Sequence, residues 1–178
     1  MLQKMVTTQR ECPARKVPTG ELHIIPANEF VTITQDLGGN FTVTWLGNML
    51  RIDGTDADVL GRQPLTLNFE ESADTSSIND KHVWYALESV FDPEIPINLV
   101  DLGLIYDVSI DQENNTVTIQ MTLTAPACGM GPVLVGDVEH RVSLVPNVSN
   151  VVVDLVFYPA WSRDMMSEEA QLESGLFF

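Results

Sequence analysis

Cys128 stands in Thr124-Ala-Pro-Ala-Cys-Gly-Met-Gly-Pro132, between the end of an alternating apolar pattern and the start of a helical one. A thiol is useful as its thiolate, the form that binds metal or attacks electrophiles, and the positive end of a following helix favours that form. Gly129 and Gly131 allow close approach of backbone to a ligand. The same residues also suit a buried, inert cysteine in a turn that needs glycine, and their spacing does not choose between the two readings. A second candidate is Asp92-Pro-Glu-Ile-Pro96 followed by Leu99-Val-Asp-Leu-Gly-Leu-Ile105. Glu94 and Asp101 there are placed to ligate a metal or to raise the pKa of a nearby thiol by like-charge repulsion. The plainer reading is that aspartate and proline shape a turn before a strand.

Other chemistry finds less support. The Cys128 loop lacks the Lys-Ser/Thr of a phosphate-binding loop, and no glycine triplet forms a dinucleotide fingerprint. There is no C-x-x-C, and His23, His82 and His140 are scattered. One thiolate and at most one partner are too few for a closed metal site, so any iron or cluster needs ligands from a second chain or a partner. An enzymatic alternative pairs Cys128 as nucleophile with His140 as base and Asp101 or Glu94 as orienter. His140, two turns into the helix, is expected to face solvent instead.

The elements that must hold these residues read as an α+β chain. Phe30–Thr34 and Phe41–Trp45 alternate apolar residues with threonine around Leu37-Gly-Gly-Asn40, a hairpin signal in a small β-rich module resembling a short open barrel. Residues 78–91 place Val83, Leu87 and Val90 at helical spacing, with Ser77 or Asn79 as cap and Pro93 as stop. Leu104, Tyr106, Val108 and Ile110 alternate, then Val117, Ile119, Met121 and Leu123, predicting a second hairpin. Pro132 opens a helix with Leu134, Val138, Val142 and Val145 on one face. Asn150–Phe157 reads as a central strand, with valine on both faces, and a last helix starts from Ser167. The order α-β-β-α-β-α predicts a small mixed sheet covered by helices.

The 178 residues carry 25 acidic against 9 basic side chains, a net charge of -16. Residues 1–75 hold -4 and residues 76–178 hold -12, and the change falls in the small polar stretch 70–77. We therefore divide the chain into a β-rich extension, 1–75, and an α+β domain, 76–178. Such acidity disfavours nucleic acid and anionic membranes as partners. The N-terminus has no secretory pattern and no run is long enough to span a bilayer, so a cytoplasmic protein with reduced thiols is expected. Two cysteines do not make a disulfide framework. Cys12 falls in an N-terminal segment expected to be mobile. Trp84, Trp161, Phe177 and Phe178 suit either the core or a dimer seam, and a homo-oligomer is expected.

Three motifs carry a resemblance: DPEIPINLVDLGLIYDV (92–108), TLTAPACGMGP (122–132) and YPAWSRDMMSEEAQLESG (158–175). In this order they are similar to the domain shared by SufT-type iron–sulfur assembly factors, the PaaD accessory protein and targeting subunits of the cytosolic assembly machinery. The match covers roughly residues 78–175, and residues 17–61 resemble the N-terminal extension of SufT proteins. The resemblance implies a non-enzymatic factor that transfers or targets clusters to apoproteins, with the assembly machinery and client apoproteins as partners. Cys128 matches the family's loop cysteine, Glu94 and Asp101 its acidic positions, and Thr124 the threonine before the loop. A transient iron–sulfur cluster or iron, shared through Cys128 with another chain, is the implied cargo. Many relatives have proline after the cysteine where this chain has Gly129, which changes the loop's backbone options.

Overall fold

The computed structural model describes residues 4–37, 39–71, 74–93, 95–125 and 129–175. The chain clusters into two compact units, Met1–Leu67 with Gly129–Gly136, and Asn68–Cys128 with Asp137–Phe178.

In the first unit the strands are β1 (Lys4–Thr7), β2 (Cys12–Lys16), β3 (Leu22–Ile25), β4 (Phe30–Leu37), β5 (Asn40–Trp45) and β6 (Asn48–Ile52). They form one antiparallel sheet in the order β1-β4-β5-β6-β2-β3, with β1 and β3 as its outer strands among the described residues. The expected hairpin is β4–β5, with a register shift between Ile33 and Gln35. Alternation places Val31, Ile33, Val43, Leu50 and Ile52 in the core together with Ala57, Val59 and Leu60 of the 3-10 turns at Gly54–Leu60. Arg10 holds that segment from outside, its guanidinium 2.8 Å from Asp56 and 2.9 Å from Asp58. Cys12 is not in a loose terminus: it lies in β2 and is fully buried in this core.

The second unit contains α1 (Asp80–Glu88), β7 (Ile105–Asp111), β8 (Thr116–Met121), β9 (Asn150–Leu155) and α3 (Glu168–Ser174). The helix α2 (Gly131–Ser143) runs through the residues assigned to both units. Asn79 is the cap of α1, its side chain accepting from the Lys81 amide at 2.9 Å, and Ser167 caps α3 through the Ala170 amide at 3.1 Å. These side chains satisfy amides that have no partner within the helix. Leu134, Val138, Val142 and Val145 are buried, as their spacing predicts. Arg141 is buried on the same helix and donates to the Ser89 carbonyl at 2.7 Å, at the C-terminal end of α1 where a cation suits the helix dipole.

The sheet order is β7-β8-β9, with β7 antiparallel and β9 parallel to β8. The fold class is thus α+β, in the element order read from the sequence. Two local expectations need correction. The central strand is β8, whose Val117, Ile119 and Met121 are buried, while β9 lies at an edge with its valines half-buried or exposed. The 104–110 alternation is interrupted, because Ile105 pairs with Met121 while Asp107 pairs with Gln120, leaving Tyr106 as the extra residue of a bulge. No helix among the described residues is long and apolar enough to cross a membrane.

Candidate functional site

The segment 92–104 connects α1 to β7, and Asp92, Asn98 and Asp101 make hydrogen bonds within it. Asp92 accepts from the Ile95 amide at 3.0 Å, closing a turn over Pro93. Asn98 and Asp101 bond reciprocally: the Asn98 amide donates to the Asp101 carboxylate at 2.6 Å, and the Asp101 amide donates back to Asn98 Oδ1 at 2.9 Å. The Asp101 carboxylate therefore supports a turn. Glu94, its expected companion, lies outside the described residues.

Beyond Asp101 the chain is gripped by the C-terminal motif. The Ser167 amide donates to the Asp101 carbonyl at 2.8 Å, and the Trp161 indole N–H donates to the Leu102 carbonyl at 2.7 Å. The Tyr106 hydroxyl, freed by the bulge from the strand alternation, donates to the Pro159 carbonyl at 2.7 Å. Gly103 has φ +76°, and a Cβ there would collide with the Met165 carbonyl. Two motifs whose bonded residues stand 53 and 59 positions apart are thus one structural piece. Sequence reasoning named both without showing that they touch. It missed Tyr106 and Trp161 as side chains that join them, and Asn98 as the partner of Asp101 within the turn.

This piece is tied to the strand that leads into the cysteine loop. The Thr122 amide donates to the Leu104 carbonyl at 2.8 Å. Thr122 itself is only 1% exposed, and its hydroxyl has no hydrogen-bond partner among the described residues. Thr124, two residues on, is half-buried, and Gly129 and Gly131 bracket the entry to α2. Gly129 is exposed, and a Cβ there would meet nothing within 4 Å. The first turn of α2 carries no acidic residue to offset the helix dipole. Cys128 lies outside the described residues, and with it the Cys128–His140 pair. His140 is half-buried on α2, where the sequence led us to expect solvent exposure. Among the described residues no group of three or more His, Cys, Asp or Glu side chains is placed to hold a metal ion.

The class defined by these features is a small α+β domain. Comparison with known proteins agrees. Residues 80–154 match the sequence profile of a family described as iron–sulfur cluster assembly protein. A Porphyromonas gingivalis Fe–S protein maturation auxiliary factor is 51% identical over 89 residues, 50% of this chain and 84% of that protein. A Bacillus subtilis protein of the same description is 38% identical over 96 residues, 54% of this chain and 93% of that one. A crystal structure of a domain of unknown function from Bacillus anthracis superposes with a TM-score of 0.52 at 40% identity, covering 55% of this chain and 92% of that one. The chain belongs to the iron–sulfur cluster assembly protein family.

Proposed function

We propose that this chain is an auxiliary factor in iron–sulfur protein maturation, and that it passes clusters to apoproteins or targets them through Cys128. A role in iron–sulfur protein maturation follows from the family. The observation that carries the finer reading is the acid-free first turn of the 13-residue helix α2, which follows the cysteine closely in sequence. A helix dipole without a nearby carboxylate favours a thiolate in the residues just before it.

The cluster or iron is cargo in this reading. One thiol from this chain supplies one ligand, so the remaining ligands come from a second chain, a scaffold or a client, and incomplete ligation suits a carrier that must release what it holds. Thr124, Gly129 and Gly131 shape the loop, while Asp101 acts through the turn that it builds with Asn98. The factor works by contact with assembly proteins and clients in the cytoplasm, without turnover of a metabolite. The strongly acidic domain fits protein partners that present basic surfaces.

The test is Cys128→Ser in cells lacking the wild-type protein, with activity of iron–sulfur enzymes as readout. We expect those activities to fall to the level of the deletion while the purified variant keeps the wild-type circular dichroism spectrum and melting temperature. Full enzyme activity with Cys128→Ser would exclude the thiol role. Anaerobic purification with iron and sulfide analysis separates a carrier from a targeting factor.

A further inference from the structure

β9 is the last strand of its three-stranded sheet. The amides of Asn150 and Val156 donate to the carbonyls of Asn115 and Met121 on the β8 side. Strand residues of the same parity, Val152 and Asp154, direct their backbone groups the same way. The N–H and C=O groups of Val151 and Val153 therefore point away from β8, to a side where no further strand pairs among the described residues.

The side chains repeat the pattern. On the face away from the buried residues of β8, the paired rows are Asp107–Gln120–Asp154, Ser109–Thr118–Val152 and Asp111–Thr116–Asn150. Val152 is the one apolar side chain of these nine, it is 44% exposed, and it sits mid-strand on the outermost row. Val151 and Val153 point to the core face yet remain half-buried. An edge with this much valine and only one charge is weakly protected against pairing.

We propose that a second copy of this chain occupies this edge, with the two β9 strands antiparallel about a two-fold axis at Val152. That register places Val152 opposite Val152 of the second copy, Val151 opposite Val153, and Asn150 opposite Asp154. The outward-pointing Val151 and Val153 form the hydrogen-bonded pairs, and Val152 falls at the non-hydrogen-bonded position where side chains approach most closely. Every apolar side chain of the central three meets an apolar one, and each carboxylate meets an amide that can donate to it. The interface is isologous, as a two-fold requires, and it joins two three-stranded sheets into one. A single strand pair is a small contact and both chains carry -16, so the dimer is weak and strengthens as salt screens the repulsion. The pairing is independent of what Cys128 does.

Sedimentation velocity on the full chain, at rising protein concentration and in low and high NaCl, reads the equilibrium. We expect a monomer–dimer equilibrium that shifts towards dimer with salt, loss of dimer in Val152→Lys, and tighter dimer in Asn150→Lys. The last change puts lysine opposite Asp154 twice and should lower the dissociation constant by about tenfold. In a Cys128→Ser background, Val152→Cys should form a 152–152 disulfide on mild oxidation and Val151→Cys should not. Crosslinking keeps the test valid if Val152→Lys fails to fold. A wild-type chain that stays monomeric at every concentration, or a dimer that yields no 152–152 disulfide, overturns the proposal. So does a monomer that binds a peptide of alternating lysine and valine at β9 and releases it with salt, which assigns the edge to a basic segment.

Discussion

At Cys12 the thiol donates to the carbonyl of its neighbour Pro13 at 3.1 Å, inside the core of the six-stranded sheet. Burial pushes its pKa up to about 12, and the carboxylates of Asp56 and Asp58 push the same way against the opposing influence of Arg10. The folded chain therefore keeps this proton at pH values where the unfolded chain, with an ordinary thiol pKa near 9.0, has lost it. Between about pH 9 and 12 the unfolded state binds fewer protons than the native state, so stability is fully present below that window and declines as pH rises through it. The urea midpoint of the wild type should fall between pH 8.5 and 10.5 by more than that of Cys12→Ala. Equal declines would show that the Cys12 proton is not linked to folding. Native Cys12 should also resist alkylation at pH 8. Sequence position alone suggested a loose terminus, because three prolines disguise the first strands. Pro13 is tolerated in β2 because the pairing of that strand with β6 is made by Arg15 and Lys16, beyond the proline.

The turn after α1 is where local pattern and long-range contact part company. Its glycine is required twice over, by a positive φ and by the Met165 carbonyl against its α-carbon. Gly103→Ala should destabilise the chain by about 2–4 kcal/mol, combining a strained left-handed residue with a backbone clash. Gly129→Ala, where an added Cβ meets nothing within 4 Å, should change stability by less than about 0.5 kcal/mol. Urea denaturation of the two variants checks both, and equal losses would contradict the clamp around residues 101–106. The helices were legible because their apolar spacing and caps are local, as at Asn79 and Ser167. Hairpin β7–β8 was legible for the same reason, up to the bulge. The place of β9 was not, since valine on both faces suits a central strand and an unprotected edge alike. Only the pairing partners distinguish them. The union of the 101–106 turn with the tail was equally hidden, because the bonds from Trp161 and Tyr106 run to backbone carbonyls, which leave no trace in side-chain pattern.

Across the whole molecule the charge is lopsided: 15 acidic and 3 basic side chains in residues 76–178. Of those three cations, Arg141 is buried against the Ser89 carbonyl and Arg163 donates to Ser174 at 3.2 Å. Asp107, Asp111 and Asp154 are exposed carboxylates on one sheet face, and like charges so placed repel one another. Compaction brings such charges closer together, so self-repulsion subtracts from stability. Salt weakens it, since the screening length shrinks from ~30 Å at 0.01 M to ~10 Å at 0.1 M. The melting temperature should rise by about 2–4 °C over that range of NaCl, the shift that ~1 kcal/mol produces in a chain of this size. Chloride salts are the right choice, because sulfate also stabilises by exclusion from the surface. The measurement belongs at low protein concentration, where association at β9 adds nothing. A melting temperature that falls with salt would mean that attractive pairs such as Arg10 with Asp56 and Asp58 outweigh the repulsion. In that case acidity would act on partners alone, with no cost to the fold that carries it.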